Sequence, residues 1–137
     1  MKRIIGYVTI NAGSWRNAPK KNTWNNMYFF EQLIDWSDLP QNSYGKLMAE
    51  VSNALVRKSN ARIGVRLAYQ QKVAKWIPIE GSEAYGEGDK RWELVSSDWF
   101  KLPTDSGVSC LWLQGMAEEG AICSVALVNL AIAEEVE

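Results

Sequence analysis

The sequence predicts an all-β protein, an antiparallel β-sandwich of the jelly-roll type with about eight strands. Short segments with strand patterning recur along the 137 residues. Turn-forming residues separate these segments at intervals of about ten residues. No segment shows a convincing amphipathic helix pattern. The length predicts a single domain, 1–137, with a long basic loop or arm at 11–26.

The N-terminal part of the chain carries three predicted strands. The first, 3–10, precedes the arm at 11–26, which is rich in asparagine and lysine. A loop of this length is uncommon in a compact domain and is usually functional or disordered. Turn residues separate the next two predicted strands, 27–34 and 46–56. The segment 46–56 alternates apolar and polar residues, although its composition also permits a helix.

The central part carries the clearest strand pattern. Along 62–70, apolar residues at every second position share one face, which is the pattern of a half-buried strand. Segment 73–79 is predicted as an edge strand, because Pro78 cannot donate a hydrogen bond to a neighbouring strand. Segment 92–102 is predicted as a further strand, and turn residues follow it.

The C-terminal part holds the most apolar stretch, 121–133. Its β-branched residues favour a strand over the helix that alanine, leucine and glutamate would also permit. Together with 108–114 it is predicted to form a β-hairpin whose loop has glycine at both ends. Because both faces of 121–133 are apolar, one face is expected to pack the sandwich. The other is expected to meet a second layer or another subunit.

Composition excludes several kinds of chemistry. The chain has no histidine, which removes the usual general base and the commonest metal ligand. A net charge of −1 gives no overall basic field for nucleic acid. No secretion signal and no membrane-spanning segment are predicted. Cys110 and Cys123 have poor geometry for a disulfide and are expected to be free thiols. We therefore predict no enzyme activity, no catalytic residue, no cofactor and no metal.

Two weaker alternatives involve the acidic loop around Gly81. Carboxylates could serve a glycosidase, but the spacing of those near this loop fixes no pair at catalytic separation. Oxygen atoms of 82–89 could bind calcium, and the alternative is an ordinary solvated turn. The acidic residues concerned are Glu80, Glu83, Glu87 and Asp89.

Charge is distributed unevenly along the chain. Residues 1–30 contain only basic charges, and the residues after Lys101 contain only acidic ones. These ends are interpreted either as solvated termini or as complementary surfaces that meet neighbouring subunits or a partner.

The segment 61–132 resembles the jelly-roll modules of phage virions, in its order of short strands and its Gly-Ser loop before a strand that begins with tryptophan. Among these modules are the small capsid decoration, or cement, proteins. The resemblance implies a virion protein assembled in the host cytoplasm that binds the major capsid protein, stabilises the head and forms a homotrimer. In that case the arm would contact the shell or a neighbouring subunit through Trp15, Arg16, Lys20, Lys21 and Trp24.

The pattern also resembles jelly-roll carbohydrate-binding modules, in which loop tryptophans stack on sugar rings. Such modules are normally secreted or attached to an enzyme. In this alternative, or in a receptor-binding virion module, Trp36, Tyr85 and Trp99 would form the platform for the glycan.

Overall fold

The computed structural model describes residues 1–10, 15–17, 21–53, 61–70, 76–87, 92–119 and 121–137. Within these residues the chain forms strands and one short 3-10 helix, η1, at Trp36–Asp38. The strands are β1 Lys2–Ile10, β2 Trp15–Asn17, β3 Asn25–Asp35, β4 Ser43–Asn53, β5 Ile63–Gln70, β6 Trp76–Pro78, β7 Ala84–Gly86, β8 Glu93–Ser96, β9 Phe100–Lys101, β10 Val108–Ala117 and β11 Cys123–Glu135.

Two antiparallel sheets pack face to face. The β11 sheet has the order β1-β11-β4-β8, with β2 beside β11 and β9 beside β4. The β10 sheet has the order β3-β10-β5-β6, with β7 beside β5. The eight strands of these two main orders follow one another along the chain as in a jelly roll with two Greek keys. The predicted all-β jelly-roll sandwich is confirmed, with β2, β7 and β9 as short additional strands.

The core lies between the sheets and follows from the period-two pattern. Along β4, buried and partly exposed residues alternate, and β5 turns Ile63, Val65 and Leu67 inward. The helix alternative for 46–56 is wrong for its first part, because Ser43–Asn53 pairs with β11 as a regular strand. Inward residues of β4, β5, β7, β8, β9, β10 and β11 form one hydrophobic cluster, in which fully buried side chains include Leu47, Val51, Leu111, Leu113, Val125 and Leu130.

The predicted C-terminal hairpin is wrong, although both of its strands exist. β10 pairs with β3 and β5 in one sheet, and β11 pairs with β1, β2 and β4 in the other. The loop between them therefore crosses from one sheet to the other. Each strand lies inside its own sheet, which explains its apolar character better than pairing between the two would.

The oppositely charged ends of the chain pair with each other. β1 and β11 are antiparallel neighbours, with Lys2 opposite Glu135 and Arg3 opposite Glu134. Both pairs form salt bridges, and the N-terminal amine also lies 2.8 Å from Glu135 Oε1. These charges therefore do not need a neighbouring subunit to be paired.

Both cysteines are free, as predicted, but they lie in different sheets. Cys110 is half-buried on β10. Cys123 is buried in the core, and burial raises the pKa of its thiol to about 12. Since the thiolate is the reactive form, Cys123 is protected from oxidation and alkylation in the folded protein.

Candidate functional site

The predicted contact group of the arm is only partly described by the structure. Trp15 and Arg16 lie on β2, where their backbones pair with Val125 and Ser124 of β11. This pairing fixes part of the segment to the sheet. Lys20, like residues 11–14, 18 and 19, lies outside the described residues.

Lys21 and Trp24, the other two members of that group, are attached to the body of the sandwich. The Lys21 ammonium donates a hydrogen bond to the carbonyl of Ala121. Trp24 packs against Tyr85 and the Arg66 guanidinium. Both side chains therefore have partners within the chain, and their contact with a shell or a neighbouring subunit stays a prediction.

Trp36 cannot form a glycan platform, and the prediction for this residue is wrong. Its side chain is 0% exposed and packs edge-on against Tyr69, with 6.4 Å between ring centroids. Asp35 caps the 3-10 helix by accepting a hydrogen bond from Ser37 N, and Trp36 N donates to the carbonyl of Gly107. These bonds hold the turn in a conformation that buries the indole.

Tyr85 and Trp99 are not brought together either. Tyr85 lies on β7, in the β10 sheet, and is 43% exposed. Trp99 is half-buried in the connection between β8 and β9, two strands of the β11 sheet, with the Lys46 ammonium 5.6 Å from the centre of its ring. The three residues predicted to share one platform thus occupy the core and two different sheets.

A different aromatic cluster forms on the outer side of the β10 sheet. The rings of Trp24 and Tyr85 lie 6.1 Å apart and tilted at 55°. Both rings lie over Gly64, the residue paired with Tyr85 across β5 and β7. A β-carbon at Gly64 would come within 2.8 Å of Tyr85 and 3.2 Å of Trp24. Only glycine allows the two rings to approach the sheet this closely.

A row of polar side chains runs across the same face, two residues further along β5 than Gly64. Arg66, Gln114 and Asn26 occupy paired positions on β5, β10 and β3. Arg66 Nε donates to Gln114 Oε1 at 2.8 Å, and Gln114 Nε2 donates to Asn26 Oδ1 at 3.0 Å. We call these three residues the polar rung.

The guanidinium of Arg66 stacks on an aromatic ring in addition to donating its hydrogen bond to Gln114. Its Cζ atom lies 4.5 Å from the centre of the Trp24 ring. Burial lowers the pKa of Arg66, while the nearby Glu83 and Tyr85 act in the opposite direction. The group has thus lost part of its hydration and has limited freedom to rotate.

Aromatic rings lie on either side of the polar rung. On one side, Arg62 stacks on Tyr85 with its Cζ atom 4.3 Å from the ring centre. On the other, Trp76 and Trp112 form an edge-to-face pair with 6.0 Å between centroids. We call this surface the aromatic–arginine face: Trp24, Arg62, Arg66, Trp76, Tyr85 and Trp112.

The outer side of the β11 sheet has a different character. Leu94 on β8 is 74% exposed, Tyr7 on β1 is 59% exposed, and Leu127 on β11 is 41% exposed. A β-bulge between Val125 and Val128 includes Leu127 and shifts the register against β4. Such a bulge sharpens the local twist and redirects the side chain it carries.

A groove lies beside this bulge. Leu94 and Leu127 line it together with Met48 and Glu50 of β4 and the polar residues Thr9 and Asn129. We call this surface the apolar face: Tyr7, Met48, Leu94 and Leu127.

The sequence contained one signal for the aromatic–arginine face. In 62–70 the inward residues alternate with Arg62, Gly64 and Arg66, so the two arginines were visible on the outer face of one strand. Their partners Trp24, Tyr85 and Gln114 come from three other parts of the chain. Only the register between strands brings them together.

The calcium alternative was placed on 82–89, of which residues 88 and 89 lie outside the described part of the chain. The described residues contain no group of three or more histidine, cysteine, aspartate or glutamate residues placed to hold a metal ion. Ser82 is buried, and its hydroxyl donates to the carbonyl of Ile79 at 2.7 Å and accepts from Leu67 N at 3.0 Å. These two hydrogen bonds hold the Ser82 hydroxyl oxygen on the core side of the loop.

Among the described residues, no helix has the length and apolar character needed to cross a bilayer. No family model matches the chain, and its sequence matches no curated protein.

Proposed function

We propose that the protein is a non-enzymatic virion structural protein, a capsid decoration protein that binds the head surface as a trimer and stabilises it. The apolar face is the observation that supports this function. Exposed apolar side chains that cluster on one face of a protein often mark a surface that contacts another protein. Here the exposed side chains of Tyr7, Leu94 and Leu127 come from three strands of one sheet.

The composition of this surface is that of an interface between proteins. Met48, Leu94 and Leu127 line the groove together with polar groups of Thr9, Glu50 and Asn129. Protein interfaces commonly combine apolar and polar groups in this way. The groove beside the β11 bulge gives the surface a shape into which a partner side chain can fit.

One edge of the same sheet disfavours association through further strand pairing. β1 forms that edge and β8 the opposite one in the described residues, and β1 carries Lys2 and Arg3 in salt bridges with β11. Charged residues on an edge strand discourage pairing with another chain. In a closed trimer each contact is heterologous, so the apolar face of one subunit would meet a different surface of the next subunit.

Light scattering of the purified chain tests the self-association. The wild-type protein is expected to have the mass of three chains. Leu94→Ser combined with Leu127→Ser is expected to give a monomer, because both substitutions remove apolar area from the centre of the face. Leu33→Ser is the matched control: Leu33 is 62% exposed on β3, in the other sheet, and its removal should leave the trimer intact.

Co-sedimentation with capsid shells tests the partner. Shells assembled from the major capsid protein of the source genome should retain the wild-type and Leu33→Ser proteins and release the double variant. A wild-type protein that stays monomeric and does not sediment with shells would contradict the proposal. Equal retention of all three proteins would show that the apolar face is not the contact surface.

A further inference from the structure

The aromatic–arginine face lies on the opposite side of the sandwich from the apolar face. Gly64 and Ala68 mark the positions of its two aromatic clusters along β5, since they pair with Tyr85 and Trp112. Four residues of strand separate these positions by about 13 Å. The polar rung crosses β5 halfway between them, at Arg66. Flat rings thus flank a row of hydrogen-bonding groups on one sheet.

The polar rung has donors in excess. Arg66 uses its Nε–H on Gln114, and Gln114 uses its amide donor on Asn26. Within the described residues, the Nη groups of Arg66 and the side-chain amide nitrogen of Asn26 have no hydrogen-bond acceptor. The missing partners are oxygen acceptors, and a carboxylate matches the guanidinium best.

The two arginines of this face are not held in salt bridges. Within the described residues the salt bridges join the N-terminal amine, Lys2 and Arg3 to β11, although Glu83 is near enough to Arg66 to act on its pKa. Each arginine stacks on an aromatic ring instead. A bound anion would therefore be able to pair with Arg62 or Arg66 without first breaking a salt bridge within the described residues.

The order of the face suits an elongated ligand that alternates flat apolar surfaces with oxygen acceptors. Sugar rings have apolar C–H faces that can stack on aromatic side chains, and their hydroxyl and carboxyl oxygens can accept hydrogen bonds. We propose that the aromatic–arginine face binds an acidic polysaccharide. A uronate carboxylate lies against Arg66, and sugar rings lie against the Trp24–Tyr85 cluster and against Trp76.

Single-stranded nucleic acid fits this face less well. Proteins that bind it without sequence preference combine stacking residues with a positively charged groove that follows many phosphates. This chain has a net charge of −1, and Glu83 lies close enough to Arg66 to affect its pKa. Two arginines beside a glutamate suit scattered carboxylates better than a continuous phosphate backbone.

Affinity gel electrophoresis tests this proposal with the intact protein. Polygalacturonate, alginate and hyaluronan are the acidic probes, galactan is the neutral probe, and oligothymidylate is the nucleic-acid probe. The wild-type protein should be retarded by at least one acidic polysaccharide and should show no comparable retardation by galactan. Arg66→Gln should raise the dissociation constant about tenfold, because a charge-assisted hydrogen bond is lost.

Lys46→Gln is the matched control. It removes the same charge beside an aromatic ring, Trp99, but on the β11 sheet. It should therefore change electrophoretic mobility as Arg66→Gln does while leaving the dissociation constant within about twofold. Light scattering should give all three proteins the same mass, which separates this proposal from the trimer.

Four results would overturn the proposal: no retardation by any of the acidic polysaccharides, equal retardation by galactan, tighter binding of oligothymidylate, or equal affinity of the Arg66→Gln and Lys46→Gln proteins. If Arg66→Gln does not fold, Arg62→Gln takes its place. Arg62 is exposed and stacks on Tyr85, so its removal leaves the polar rung unchanged.

Discussion

Gly64 shows how one residue shapes the aromatic–arginine face. In Gly64→Ala, the new methyl group would come within 2.8 Å of the Tyr85 ring, closer than van der Waals contact allows. We expect the ring to be pushed from the sheet and the free energy of unfolding to fall by about 1 kcal/mol. Urea denaturation measures the loss of stability. The displacement of Tyr85 should also weaken binding of the acidic polysaccharide, which affinity electrophoresis measures.

Gly6→Ala separates a packing effect from the general cost of replacing a strand glycine. A β-carbon at Gly6 would meet no atom within 4 Å. This variant is expected to be as stable as the wild type or slightly more stable, because alanine restricts the unfolded chain. Equal destabilisation by both substitutions would argue against the close approach of Tyr85 to Gly64.

Trp36 illustrates where residue-level prediction failed. It lies between Asp35, Ser37 and Asp38, and such polar neighbours are typical of an exposed turn. The same neighbours instead form a capped 3-10 helix that turns the indole into the core, where Tyr69 packs against it. Local composition predicted the turn correctly, but the direction of one side chain depends on the whole turn and on the core beneath it.

At the scale of elements, the pairing of β1 with β11 joins the two ends of the described chain. Hydrogen bonds from Lys2 and from the N-terminal amine lower the pKa of Glu135 to about 2. The carboxylate therefore stabilises the folded state above the ordinary glutamate pKa of 4.5, and this contribution is lost as the pH falls towards about 2.

Glu135→Gln should remove this dependence on pH. The variant is expected to be less stable than the wild type at neutral pH, and the difference should shrink between pH 4.5 and pH 2. The effect should be small because Glu135 is exposed to solvent. Denaturation midpoints measure it, and an NMR titration of the Glu135 carboxyl group measures the pKa directly.

Glu137→Gln serves as the control for this titration. Glu137 is exposed at the C-terminus beyond β11, so its substitution should leave the pH dependence of stability unchanged. A wild-type Glu135 that titrates near 4.5 would contradict the contribution of Lys2 and the N-terminal amine.

β10 and β11 show what strand patterning predicts and what it leaves open. Their β-branched and apolar residues predict that both segments are strands. A short loop between two strands usually makes a hairpin, so the local pattern predicts that the two pair with each other. In a jelly roll, however, each strand pairs with partners distant in sequence, as β11 does with β1. The strands pair in the way that buries the inner faces of both sheets against each other. The residue pattern along a single segment does not contain that information.

At the scale of the whole molecule, the two proposed surfaces lie on the outer faces of different sheets, with the shared core between them. We expect substitutions on the two surfaces to act independently, since distant sites without shared partners usually contribute additively. The Leu94→Ser, Leu127→Ser protein should bind a short galacturonate oligomer with wild-type affinity, and Arg66→Gln should still form a trimer.

A short oligomer is needed for that comparison because a polysaccharide would bridge the subunits of a trimer and bind it more tightly through avidity. Calorimetric titration measures the affinity and light scattering the mass. Loss of oligomer binding in the double variant would show that the surfaces are coupled or that trimer formation completes the binding site.

The sequence by itself determined the fold class of this protein, most of its strands and the inward side of the strands that alternate clearly, 46–56 and 62–70. These properties follow from alternation along a single segment, and alternation is local. The absence of histidine likewise excluded the commonest catalytic groups from the amino-acid composition alone.

Only the tertiary structure decided which outward side chains lie together. The polar rung joins β3, β5 and β10, and Trp24 reaches Tyr85 across a glycine on a third segment. These neighbours are far apart in sequence and meet because strand register aligns them. Register depends on packing of the two sheets against one core, since a shift by one residue would turn every inward side chain outward.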